Sequence, residues 1–246
     1  MSKPLRVPLE GLEPGIRELT GPVARYVGRV HRLGPGADLL LFDPALGVEA
    51  DARLLDGGQG VLRCSVGPVR ASHYKAYPVG LILGLAKGDK PDTTLRDATA
   101  LGVAWVVFAE TARGVVRVSS ERAPARLVRW QRIAAEAARQ SGRGDVPRIE
   151  GPMGIAEALA RGHDSLRIRL DPAGPPLLER LERWHVGESL ELLVGPEGGL
   201  SPEENQAADA RGFLPASLGP TILRSELASV AALGTLVAFA LARRIG

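Results

Sequence analysis

Two glycine-bearing segments hold the residues best suited to binding a ligand, LLVGPEGGL at 192–200 and SLGPTILRSE at 217–226. Each follows an apolar run of strand character, and in open α/β sheets ligands bind beyond the carboxyl ends of the strands. Both turns therefore lie where a ligand site is expected. Neither G-x-x-x-x-G-K-[ST] nor G-x-G-x-x-G occurs in the chain. A carboxylate at Glu197 would repel a phosphate, whereas S-adenosylmethionine carries a sulfonium cation and no phosphate, so it tolerates the acid. On these residues alone, a pair of tight turns without a ligand explains the pattern equally well.

The elements that must position these turns follow from the apolar rhythm. In the first 70 residues, short apolar runs (Arg25 to Leu33, Leu39 to Phe42, Val48 to Leu55, Val61 to Val66) are broken by glycine and proline, which predicts a small β-barrel. From Val79 onward strands alternate with helices, which predicts a largely parallel sheet covered on both faces. Strands are expected at Val79 to Leu85, Val103 to Phe108, Ser165 to Leu170, Ser189 to Val194 and Phe213 to Leu218. Between them helices are expected from Pro91 to Gly102, at Pro124 to Ser141, Ile155 to Ala160 and Pro175 to Trp184, after Ser201, and at Ile222 to Arg244. In the helix at 175–184, Leu177, Leu178, Leu181 and Trp184 should point inward. SPEE at 201–204 should cap its helix through Ser201 and Glu204. The boundary between the two parts is expected at 70/71.

The charge of +3 is unevenly placed. Residues 71–150 carry 13 basic and 8 acidic groups, and nine arginines fall within 113–148. On the helix at 124–141 the arginines, with Arg122 before it and Arg143 after it, gather opposite Leu127, Trp130, Ala134, Ala137 and Ala138. One face packs and the other is cationic, as a polyanion would require, although a solvated helix face has the same composition. Arginine makes up 27 of 31 basic residues, and aromatics are only 4%, which argues for phosphate forks over base-stacking platforms. A single cysteine, Cys64, and four scattered histidines (His31, His73, His163, His185) offer no metal set. No run of uninterrupted apolar residues reaches membrane-spanning length and the N-terminal residues lack a signal-like core, so a cytoplasmic protein is the default.

GPEGGLSPEE followed by LGPTILRSELA resembles the bacterial 16S ribosomal RNA uracil-N3 methyltransferase family of the SPOUT superfamily. LAKGDKPDTTLRDATALGV (85–103) and RWQRIAAEAARQSGR (129–143) extend the resemblance over most of 71–246. It departs from the family pattern at Ala100, Leu227 and Ser229. What the resemblance implies is an α/β fold: a PUA-like β-barrel RNA-binding domain over 1–70 and a trefoil-knotted methyltransferase domain over 71–246. It further implies a homodimer, 16S ribosomal RNA or the small ribosomal subunit as partner, and S-adenosyl-L-methionine as cofactor, with Val194, Gly195, Pro196, Glu197, Gly198 and Gly199 of the first turn and Ser217, Leu218, Gly219, Ile222 and Leu223 of the second as its cofactor-binding candidates; leucine and isoleucine beside glycine suit an adenine held by backbone hydrogen bonds and nonpolar contact.

N3 of uridine becomes nucleophilic only when its proton leaves. Arg224 is then the candidate partner of the resulting anion. Glu226 is either a proton acceptor or the group that orients Arg224. Lys87, Arg126, Arg129, Arg139, Gln140 and Arg143 are the candidate RNA contacts. Two rivals stay open: an RNA-binding protein without activity, and a methyltransferase acting on a ribose 2′-hydroxyl.

Overall fold

The computed structural model describes residues 4–58, 60–72, 77–161 and 165–244; His73 and His163 lie outside them. The chain divides into two compact units, one of residues 1–75 with 138–146, the other of 76–137 with 147–246. The first unit is thus discontinuous, because the last turn of a long helix and the loop after it belong with the N-terminal sheet.

In the first unit, strands β1 (Leu5–Pro8), β2 (Gly15–Leu19), β3 (Asp38–Asp43), β4 (Val48–Gly58), β5 (Val61–Val66) and β6 (Arg70–Ala71) form one sheet. Its order is β1-β3-β4-β5-β2, with β6 also on β4, and only the β1–β3 pairing is parallel. Alternate residues Leu39 and Leu41, Ala50, Ala52 and Leu54, Cys64 and Val66 bury on one side, as a period of two requires. Arg25 to Leu33, expected as a strand, is instead helical: α1 (Gly21–Arg25) runs into a π-helical turn over Tyr26–Val30. The valines suggest a strand, but Pro22 opens the first turn, and Val27 buries one turn after Ala24; packing overrides propensity there. β1 and β2, with only a few apolar residues among proline, glycine and charge, were not anticipated.

The second unit is built on β7 (Val79–Gly84), β8 (Trp105–Glu110), β9 (Arg148–Gly154), β10 (Ser165–Leu170), β11 (Ser189–Val194) and β12 (Phe213–Ala216). Their order is β12-β10-β11-β7-β8-β9 and every pairing is parallel. The connecting helices are α2 (Lys90–Ala100), α3 (Ala123–Ser141), α4 (Ile155–Ala160), α5 (Leu177–Leu181), α6 (Pro202–Ala210) and α7 (Ser225–Arg244). Ile82, Val107 and Leu193 pack with Ala158, Leu159 and Ala208 of α4 and α6. On the opposite face Val79 meets Leu233 and Leu236 of α7, with Trp184 beside them. Helix α5 is shorter than expected, and Leu178 is exposed rather than inward because the turn around it faces solvent. β9 was also not anticipated.

Two glycines permit close approach. A Cβ on Gly80 would lie 2.0 Å from the Trp105 ring, and one on Gly84 would lie 2.6 Å from Pro196. The second contact lets the turn after β11 cross directly over the end of β7. Because all six strands point the same way, the loops after β7, β8, β10, β11 and β12 gather along one edge of the sheet.

Candidate active site

Beyond β10, β11 and β12 lies a cavity of about 270 Å³. Of the eleven sequence-derived cofactor candidates, ten line it: Val194, Gly195, Pro196, Glu197, Gly199, Ser217, Leu218, Gly219, Ile222 and Leu223. Gly198 does not, because it backs onto the β8–α3 loop, where Arg113 Nη1 donates to its carbonyl at 3.3 Å. The turn is closed by the Gly199 N–H donating to the Pro196 carbonyl at 2.8 Å, with Gly199 at φ +69°, where glycine carries no Cβ penalty.

Sequence reasoning missed a third wall, Leu170, Asp171 and Pro172 from the loop after β10, together with Asn205 of α6. DPAGP at 171–175 carries a turn signature, but only the position of β10 between β11 and β12 brings it to the site. Burial pushes the Asp171 carboxyl up, yet hydrogen bonds from the Ala173 N–H and from Arg169 outweigh it and hold the group below its usual range. Arg169 is shared with Asp209 at 2.8 Å, so Asp171 is anchored from behind.

Helix α6 fixes the other side. The Ser201 hydroxyl accepts from the Glu204 N–H at 3.2 Å, while Glu204 Oε2 accepts from the Ser201 N–H at 2.8 Å, closing the expected capping box. Glu204 Oε1 also accepts from the Ala112 N–H at 2.6 Å, tying α6 to the loop after β8.

Four charged groups stand at the rim. Lys90 Nζ donates to Glu197 Oε1 at 2.5 Å and lies 3.9 Å from Glu226 Oε1. The Lys90 hydrogen bond holds the Glu197 carboxyl below its ordinary value, and the same bond raises Lys90. Arg224 is exposed and near enough to oppose the charge of Lys90, and among the described residues its guanidinium has no ion-pair partner. Glu226 therefore faces Lys90, and among the described residues it forms no ion pair with Arg224.

The arginine-rich segment is partly committed inside the protein. Arg143, expected on the RNA, is fully buried: it makes two hydrogen bonds to Asp145, at 3.0 and 2.8 Å, and its carbonyl accepts from Arg6. Asp145, two residues on, holds two of its guanidinium nitrogens inside the first unit. Arg129 donates twice to the buried Asp92, at 2.9 and 2.6 Å, and Trp130 Nε1 donates to the other oxygen at 3.0 Å. Arg139 lies over the Tyr26 ring at 4.2 Å within the first unit. Lys87 and Gln140 are exposed. In the second unit, Arg117, Arg122, Arg126 and Arg129 line a groove of about 570 Å³ with Gly88, Asp89 and Asp92. Arg126 lies over the Trp130 ring at 5.5 Å.

A family model described as an RNA methyltransferase domain matches residues 73–237. The ribosomal RNA small subunit methyltransferase E of Mycobacterium bovis is 31% identical over 224 residues, covering 85% of this chain and 81% of that protein. The solved ribosomal RNA small subunit methyltransferase E of Neisseria gonorrhoeae, bound to S-adenosyl methionine, is 30% identical with a TM-score of 0.85, covering 96% of this chain and 98% of that one. A Legionella pneumophila protein solved with bound cofactor SAM gives 0.86 at 27% identity, with the same coverage. The N-terminal sheet and the parallel α/β unit thus share the fold of these proteins, and the chain belongs to the RNA methyltransferase family that includes ribosomal RNA small subunit methyltransferase E.

Proposed function

We infer that the protein transfers a methyl group from S-adenosylmethionine to N3 of a uridine in 16S ribosomal RNA. The observation that carries this reading is the lining of the cavity: among the described residues it holds two carboxylates, Glu197 and Asp171, and not one lysine, arginine or histidine. Such a wall fits a cationic ligand and opposes a phosphate-bearing one. The relatives named for methylation of small-subunit ribosomal RNA, one of them holding S-adenosyl methionine, give the substrate class.

The backbone of both glycine turns, with Leu218, Ile222 and Leu223, would hold the adenosine part, and the acids would face the charged end. When bound, the cofactor supplies an electrophilic methyl group. The chain's own residues make the acceptor competent. Arg224, which has no ion-pair partner among the described residues, stabilises the negative charge that develops on the uracil as the N3 proton leaves. Glu226 accepts that proton, and fixed placement of the base against the cavity mouth supplies much of the rate.

RNA reaches the site along the groove of Arg117, Arg122 and Arg126, with Lys87 nearby on the loop after β7. Arg139 and Gln140 serve the same role in the first unit, read as a PUA-like barrel domain. Residues 71–246 are read as a trefoil-knotted SPOUT domain, acting as a cytoplasmic homodimer. The test is nucleoside mass spectrometry of 16S ribosomal RNA from a deletion strain. Loss of 3-methyluridine is expected; loss of a 2′-O-methyl nucleoside instead would overturn the choice of acceptor.

A further inference from the structure

We propose that Lys90 is a positioning residue that draws Glu197 aside, so that the cavity does not hold the cationic cofactor too tightly to react. The proposal rests on the reading above. Lys90 occupies the first residue of α2, the positive end of the helix dipole, where a cation is disfavoured. Its ion pair with Glu197 is about one-third exposed on both sides, a setting in which such pairs contribute little to stability. Neither the helix nor the fold therefore accounts for a lysine here. Its position does: it lies between Glu197, which lines the cavity, and Glu226, at the start of α7, joining three segments distant in sequence.

The chemical consequence comes from the change of charge during the reaction. The methyl group leaves sulfur for N3, the sulfur–carbon bond breaks and its electron pair remains on sulfur, so the sulfonium charge disappears. The N3 proton has already passed to a base, and the products are methylated uridine and a neutral thioether. A carboxylate free to approach the sulfonium would stabilise the reactant more than the transition state, deepening the ground state without helping the chemistry. A lysine bonded to that carboxylate at 2.5 Å competes for it. Lys90 thereby sets how strongly the cavity prefers the charged cofactor over its neutral product.

The experiment measures affinities of S-adenosylmethionine and S-adenosylhomocysteine by calorimetry for the full-length wild type, Lys90→Met, Glu197→Gln and the double variant, with turnover alongside. Lys90→Met should raise the preference for the charged cofactor by about tenfold and lower kcat, and Lys90→Arg should restore both. In the Glu197→Gln background, removing Lys90 should leave the preference unchanged. Equal shifts in the two affinities, or a Lys90 effect that persists without the Glu197 charge, would overturn the proposal while leaving the methyltransferase reading intact. Failure of the wild type to bind either ligand would overturn both. Should Lys90→Met not fold, the Lys90→Gln variant gives the same comparison.

Discussion

Arg224 carries the heaviest chemical assignment, and its setting makes the expectation specific. Arg224→Ala should keep cofactor affinity, because the cavity is built of turn backbone and apolar side chains that this change leaves in place. Turnover should fall by about a hundredfold to a thousandfold, and raising the pH should partly restore it by deprotonating more of the uridine beforehand. Near-normal turnover in a folded variant would remove Arg224 from the chemistry. The Lys90–Glu197 pair yields a pH expectation with a definite sign. Glu197 is lowered, so its contribution is present above the ordinary carboxylate range and is lost only as pH falls through the lower folded value. Lys90 is raised, so its contribution is present below the ordinary lysine value and is lost as pH rises through the higher one. Neither group should therefore change charge between roughly pH 6 and pH 9; the ratio of wild-type to Lys90→Met cofactor affinity, in which titration of the cofactor's own amino group cancels, should be flat there, and a step in that ratio would place the controlling group elsewhere. Asp92 tests the structural side of the arginine segment. Asp92→Ala leaves Trp130 Nε1 buried without its acceptor and Arg129 without its anchor, costing about 1–3 kcal/mol in a thermal or urea melt.

The elements differ in how far the sequence reveals them, for reasons that are local or not. The start of helix α6 was legible to the residue, since its capping box is a relation between Ser201 and Glu204 alone. The two glycine turns were legible because each interrupts an apolar strand. The wall from the loop after β10 was not, because it becomes part of the site only through strand order, which no local pattern encodes. Along α3 the sequence showed which face is basic but not which arginines are already satisfied. Arg129 reaches back 37 residues to Asp92, and no helical wheel contains that contact. This distinction changes the expected result of mutating the helix. Arg122→Gln with Arg126→Gln removes two groove arginines without disturbing Asp92. It should weaken RNA binding, reduce the salt slope by roughly 1.5, and leave the melting temperature and cofactor affinity unchanged. An unaltered slope in filter binding across a salt series would mark this groove as an ordinary solvated face.

At the scale of the whole molecule, helix α7 has more apolar surface than its own chain covers. By length and composition the segment Ser225–Arg243 could cross a membrane, with a mean hydropathy of 1.7, and only a third of it is buried. The buried stripe runs through Ser225, Ser229, Ala232, Leu233, Leu236 and Ala240, where α7 packs on α2, α5 and β11. Leu227 and Leu241 remain half exposed, and Ile222, on the loop that leads into the helix, is 87% exposed. Ile222 also lines the cofactor cavity, so whatever covers this face borders the site itself. A second copy of the chain is the occupant proposed here, because a two-fold contact would bury the same apolar stripe on both protomers at once. Sedimentation at micromolar concentration should give twice the 26.0 kDa chain mass. Leu227→Glu with Leu241→Glu places a charge on the uncovered side while sparing the buried stripe, so the variant should remain folded but sediment as a monomer. Its cofactor affinity should fall as well, since Ile222 would lose its cover. A folded variant that stays dimeric would move the interface away from α7, and a monomeric wild type would remove the dimer altogether.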